Sequence, residues 1–195
     1  MVFDLGGVLV DWNPRHLYRK IFPGDEAGME HFLANVCTPD WNEELDAGRT
    51  FAEAVPALQQ RHPEYAAAIA AFWDRWDEMC PGPIPGGPEL LYEVKAAGYP
   101  VYALSNWSAE TWPRIQHRFD FFSAFDGIVI SGSVGIKKPD PAIYRHLIET
   151  HALEPASTLF IDDSAPNVEA ALDFGLQAIH FQSPPQLRQA LHLLL

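Results

Sequence analysis

Four short apolar runs in this chain each deliver polar residues suited to phosphoryl chemistry. Val2-Phe3 leads to Asp4, and Val101-Tyr102-Ala103-Leu104 leads to Ser105 and Asn106. Gly127-Ile128-Val129-Ile130 runs through a glycine-rich turn to Lys137-Lys138-Pro139, and Leu159-Phe160-Ile161 ends at Asp162 and Asp163. A carboxylate at a strand end can attack phosphorus to give an acyl phosphate, which water then hydrolyses. An acidic pair offers hard oxygen ligands of the kind magnesium takes one or two at a time. Adjacent residues on a regular strand point to opposite faces, but where the strand ends the backbone turns and both carboxylates can reach one cation. Two carboxylates about 4 Å apart repel by about 4 kcal/mol at an effective dielectric near 20. A third carboxylate and an incoming phosphate add to this, so the set calls for a cation beyond one lysine.

What must position these residues is a parallel sheet, because ligands of open α/β sheets bind beyond the carboxyl ends of the strands. After residue 88, apolar runs alternate with helical patterns of 10–15 residues, the signature of right-handed βαβ units. The spacing predicts helices from about Glu89 to Gly98, from Ser108 to about Phe119, over Pro141–His151, and from Pro166 to Gly175. A last strand at Ala178–Phe181 and a helix from about Pro185 complete the pattern. Between residue 13 and the Pro/Gly-dense stretch 81–88 no strand pattern occurs. Asn13-Pro14 suits a helix start, Thr50-Phe51-Ala52-Glu53 reads as a capping box, and Tyr65–Met79 has apolar residues at helical spacing. The expected fold is therefore α/β, a Rossmann-like parallel core over 1–12 and 85–195 with an α-helical cap over 13–84. Such an insertion leaves the sheet beside Asp4 and should lie over the crevice as a lid, its aromatic residues either packing its own core, the favoured reading, or facing the substrate.

Composition narrows the function. With 195 residues, 48% hydrophobic and 20% charged, the chain is sized for one α/β domain plus an insertion. No apolar stretch approaches the roughly 20 residues of a membrane helix, and Met1-Val2-Phe3-Asp4 reads straight into a core strand, so a cytoplasmic location is expected. Cys37 and Cys80 make no metal-type spacing and read as reduced, small hydrophobes. A net charge of −13 argues against nucleic acid or an anionic membrane as partner, since both require a basic face. An anionic small-molecule substrate would need local positive charge from Lys138, helix N-termini and a bound cation.

In order and spacing, these motifs resemble the haloacid dehalogenase superfamily of hydrolases across essentially the whole chain. They are Phe3-Asp4-Leu5-Gly6-Gly7-Val8-Leu9-Val10-Asp11, then Leu104-Ser105-Asn106, then Gly135-Ile136-Lys137-Lys138-Pro139-Asp140, then Phe160-Ile161-Asp162-Asp163 with Asn167 following. The helical insertion resembles the subfamily with an α-helical cap after the first motif, and Asp-Leu-Gly-Gly-Val resembles a branch containing phosphatases of small phosphorylated metabolites. The resemblance implies Asp4 as nucleophile and Lys138, directly before proline, as its charge partner, with Lys137 the other register. It implies Ser105 and Asn106 as binders of the phosphoryl group. Mg2+ would be held by Asp4, the Gly6 carbonyl and Asp163, with Asp162 direct or through water and Asn167 orienting the carboxylates. Arg15 and His16, just inside the lid, are candidate substrate contacts.

One position departs from the pattern. Phosphatases of the superfamily usually carry a second Asp two residues after the nucleophile as general acid and base, and here that position is Gly6. General acid catalysis contributes roughly 10²–10⁴-fold. The 2-haloacid dehalogenases also lack this Asp and use no metal, but they resemble one another in replacing the acidic pair, which this chain keeps. A Mg2+-dependent phosphatase is the favoured expectation. A dehalogenase using Asp4 is the first alternative, and a weakly active scaffold or regulatory binding module is the second.

Overall fold

The structure, a computed structural model, describes residues 1–192. Among these, five strands form one parallel sheet: β1 (Val2–Phe3), β2 (Tyr102–Ser105), β3 (Gly127–Ile130), β4 (Leu159–Asp162) and β5 (Gln177–His180). The order is β3-β2-β1-β4-β5. β1 is central, with Val2 in register with Tyr102 on one side and Phe160 on the other. The chain runs outward from β1 through β2 to β3, then returns to β4 and runs outward to β5. The strand order reverses at β1, and a crevice opens there beyond the strand ends.

Alternation along each strand divides the apolar core between the two faces. Phe3, Ala103 and Ile161 belong to one buried cluster, which continues into the helical insertion through Leu17, Phe32 and Phe72. Val2, Leu104 and Phe160 belong to the other, with Tyr144 and Leu147. The insertion carries α1 (Arg15–Ile21), α2 (Glu26–Asn35), α3 (Pro39–Asp46), α4 (Phe51–Arg61) and α5 (Ala66–Asp74). Its two connections to the sheet are laced together. Asp11 N–H donates to Gly82 O at 3.0 Å, Asn13 N–H to Met79 O at 2.8 Å and Ile84 N–H to Leu9 O at 2.9 Å. The Thr50–Glu53 capping box forms, opening α4.

Between the remaining strands lie α6 (Gly87–Ala96), α7 (Trp112–Ile115), α8 (Ser131–Val134), α9 (Pro141–His151) and α10 (Ala165–Phe174), and α11 (Pro184–His192) follows β5. Two expected helices are shorter than their patterns. The one expected from Ser108 to Phe119 is a single turn, α7, followed by a 3-10 segment at Asp120–Ala124. Pro113 has no N–H to give the Ala109 carbonyl, so a helix begun at Ser108 cannot propagate. The Ser108 hydroxyl accepts from Glu110 N–H at 3.2 Å instead, closing a tight turn. The pattern over Tyr65–Met79 gives α5 and then a tighter 3-10 turn, Trp76–Met79, after Arg75 leaves helical geometry. No helix among the described residues is long and apolar enough to cross a membrane. Cys37 and Cys80 are free and buried.

Candidate active site

The sheet order brings the ends of β2, β1 and β4 side by side. Asp4 follows β1, its N–H still bonded to Ile161 O at 2.8 Å. Ser105 and Asp162 are the last residues of β2 and β4. Lys138 reaches in from the segment after α8 and is only 1% exposed.

The Lys138 ammonium has three donors and meets three acceptors: Asp162 Oδ2 at 2.6 Å, Leu104 O at 2.9 Å and Asp4 Oδ1 at 3.0 Å. Burial pulls its pKa down, but Asp4 and Asp162 outweigh that and hold it above the ordinary lysine value, so the ammonium stays charged. Asp4 Oδ1 is also the acceptor for Ser105 Oγ and Leu5 N–H, both at 2.7 Å. Oδ2 makes no hydrogen bond among the described residues. Burial raises the Asp4 carboxyl, opposed by Lys138 and Ser105 and assisted by Asp162 and Asp163. A charge-neutralising group beside Oδ2 would reverse that tendency.

Asp162 is fully buried. Its Oδ2 pairs with Lys138, while Oδ1 accepts from Ser164 N–H at 2.8 Å and Asn167 Nδ2 at 3.1 Å. Asp163, by contrast, is exposed and lines the cavity in front of Asp4 and Gly6. Gly7 makes this possible. Its φ is +78°, and a Cβ there would lie 2.2 Å from Asp163 Oδ2. Oxygens of Asp4, Asp162 and Asp163 all fall within 4.8 Å of one another. This hard, all-oxygen set fits magnesium. With Asp162 held by Lys138, Asn167 and a backbone amide, Asp4 and Asp163 are the carboxylates best placed to touch it.

Three expectations change in detail. The Asn106 side chain donates to Lys138 O at 2.9 Å and accepts from Lys138 N–H at 2.8 Å. Both ends of its amide are thus spent fixing the backbone that carries the lysine, and it positions Lys138 rather than offering that amide to a phosphoryl group. Arg15 and His16 do not line the cavity that holds Asp4. Arg15 forms a two-point pair with Glu30, at 2.5 and 2.6 Å, beside a separate groove, and His16 lies 3.0 Å from Asp11. Two aromatic residues of the insertion face the site instead of only packing its core: Phe51 and Trp76 join Trp12 and Trp107 around the cavity.

The cavity has a volume of about 320 Å³, and Asn42 and Asp46 of α3 complete its wall. Periodicity did not single out either residue. A signal existed, since Asn42 and Asp46 are one helical turn apart and an acidic residue in the last turn opposes the helix dipole.

A parallel sheet whose central strand ends in a buried, lysine-paired aspartate, faced by an acidic pair, has the arrangement that the sequence motifs lead one to expect of a hydrolase. Residues 1–175 match the family described as haloacid dehalogenase-like hydrolase, and the chain belongs to that family. It is 28% identical over 182 residues to a sesquiterpene phosphatase of Aspergillus oryzae, covering 92% of this chain and 87% of that one. It is 30% identical over 194 residues to a drimenol cyclase of Aspergillus calidoustus, spanning 98% of this chain but only 35% of the cyclase. A HAD family enzyme from Bacteroides thetaiotaomicron, solved in complex with magnesium and inorganic phosphate, superimposes with a TM-score of 0.68 at 23% identity. The match covers 93% of each chain.

Proposed function

We propose that this protein is a magnesium-dependent phosphatase of a small phosphorylated metabolite, working through an aspartyl-phosphate on Asp4. The observation that carries this reading is the state of Asp4. Lys138, Ser105 and a backbone amide fix one of its oxygens, and the other has no hydrogen-bond partner among the described residues and faces the acidic cluster with Asp163. In this reading Asp4 Oδ2 attacks phosphorus, the substrate's P–O bond breaks, and water then hydrolyses the acyl phosphate. Lys138 and the Ser105 hydroxyl stabilise charge on the transferring oxygens. Asp162, Asn167 and Asn106 keep Lys138 aimed. Asp4, Asp163 and the Gly6 carbonyl would hold magnesium, which would supply positive charge against three carboxylates and an incoming phosphate.

The walls around the site favour an apolar organic moiety. Trp12, Phe51, Trp76 and Trp107 line the cavity, and among the described residues no lysine or arginine does. The likeness to a sesquiterpene phosphatase and a drimenol cyclase agrees with this chemistry. Residues 13–84 act as the cap that shapes the cavity, with the core at 1–12 and 85–195, in a cytoplasmic enzyme. The test is release of phosphate from an aryl phosphate with magnesium, by the wild type and by Asp4→Asn. Turnover abolished by chelator and by the substitution supports the reading, and a panel of apolar and sugar phosphates then ranks substrates. Metal-independent halide release from a 2-haloacid would refute it in favour of a dehalogenase.

A further inference from the structure

Gly6 leaves the nucleophile without an acid two residues away, although space exists for one. A Cβ at Gly6 would lie 3.8 Å from Trp107 Cζ3 and 3.8 Å from Trp12 Cβ, both ordinary contacts. Three carboxyl side chains line the cavity: Asp4, Asp163 and Asp46. The first is the nucleophile and the second a cation ligand in the reading above, which leaves Asp46 without a task.

Asp46 is held in place from both sides of the cavity. Its Oδ2 accepts from Asn42 Nδ2 at 2.9 Å, one turn back on α3. Its backbone carbonyl accepts from Ser131 Oγ at 2.5 Å, and Ser131 Oγ in turn accepts from Trp107 N–H at 3.0 Å. The insertion therefore delivers this carboxyl to the wall facing Asp4 through a hydrogen-bonded bridge to the core. Other nearby acids are committed elsewhere. Glu43 pairs with Lys137 at 2.5 Å, Asp11 with His16, and Glu110 accepts from Phe51 N–H at 2.6 Å.

Resting on the phosphatase reading above, we propose that Asp46 is the general acid and base that takes the place of the carboxyl absent at Gly6. As Asp4 Oδ2 bonds to phosphorus and the ester P–O bond breaks, protonated Asp46 gives its proton to the leaving oxygen, releasing an alcohol. The resulting Asp46 carboxylate then takes a proton from the water that attacks the aspartyl-phosphate. That step frees Asp4 and hydrogen phosphate and restores the acid, so the cycle consumes one ester and one water.

The groups around Asp46 suit the first step. Its carboxyl is pushed up to about 7, first by burial and then by Glu43 and Asp4, while Lys137 and the Ser108 N–H oppose the rise. Its place in the last turn of α3 disfavours the charged form further. Asp46 thus holds its proton to a higher pH than an ordinary carboxyl does.

The test compares the magnesium-loaded wild type and Asp46→Asn on 4-nitrophenyl phosphate, whose leaving group departs unaided, and on an unactivated alkyl phosphate. The variant's kcat/KM should fall by roughly 10²–10⁴-fold on the alkyl ester and less than ~10-fold on the nitrophenyl ester. A burst of nitrophenolate should appear as the second step loses its base. Equal losses on both esters, or no loss, would overturn the assignment while leaving the phosphatase reading intact. A wild type that hydrolyses neither ester overturns both. Should Asp46→Asn not fold, the wild-type pH profiles decide. The alkyl ester's kcat/KM should drop as pH rises through the acid's pKa while the nitrophenyl ester's does not, and parallel profiles would overturn the role.

Discussion

Replacing Lys138 with methionine tests the electrostatic design of the site directly. The lysine is buried between Asp4 at 3.0 Å and Asp162 at 2.6 Å. At an effective dielectric near 20, each pair is worth about 5–6 kcal/mol in Coulomb attraction. Desolvation of three ions offsets much of that, so the pair's net worth is far smaller. Truncating one partner is different, because it strands two buried carboxylates, and such losses run to about 3–5 kcal/mol. For a domain of this size that predicts a Tm lower by roughly 6–20 °C. The deficit should depend on pH, with a definite sign. Burial already raises Asp4 to about 7, and Lys138 is the main influence holding it down. Without the lysine the folded pKa rises further, while the unfolded value stays near 3.8. Between those values the folded state binds more protons, so stability falls as pH rises. Urea unfolding of both proteins, with chelator, at pH 5 and pH 8 measures the effect. A difference below about 1 kcal/mol at pH 8, or the same difference at both pH values, would refute the reasoning.

Further outcomes follow from single contacts. Gly7→Ala should displace Asp163, because the new Cβ would meet its carboxylate at 2.2 Å with φ at +78°. Magnesium affinity, read by calorimetry, should fall at least ~10-fold, as does loss of a supporting group at other metal sites. Arg15→Ala should leave kcat/KM within about two-fold and stability in denaturant unfolding nearly unchanged, since its exposed Glu30 pair lies outside the cavity. Thr50→Ala removes the hydroxyl half of a capping box, leaving the backbone N–H of residue 50 to Glu53, and should lower stability by about 1 kcal/mol in denaturant unfolding with no change in KM.

The parts of this molecule written locally could be read from the sequence. Strand ends at Asp4, Ser105 and Asp162, the α4 cap and the Gly175 helix stop follow from short-range pattern, and the structure has them where expected. What escaped depends on partners distant in sequence. The family resemblance implies Asn106 as a phosphoryl binder, yet Lys138, 32 residues on, claims both ends of its side-chain amide. Arg15 looked free until α2 supplied Glu30. Asp46 carries no motif of its own, and the docking of α3 on Ser131 is what brings it to the cavity wall. The shortened helix before Phe119 is a different kind of miss, since Pro113 was visible and its missing N–H outweighed the apolar spacing.

The aromatic wall carries a practical consequence. Three of the chain's six tryptophans, Trp12, Trp76 and Trp107, stand around the cavity. Trp76 and Trp107 lie edge to face with centroids 5.5 Å apart. An apolar ligand entering there displaces water from indole rings that supply much of the protein's emission. The enzyme therefore holds a built-in optical reporter of occupancy, so unlabelled candidate substrates can be ranked by fluorescence titration of Asp4→Asn before any turnover assay exists for them.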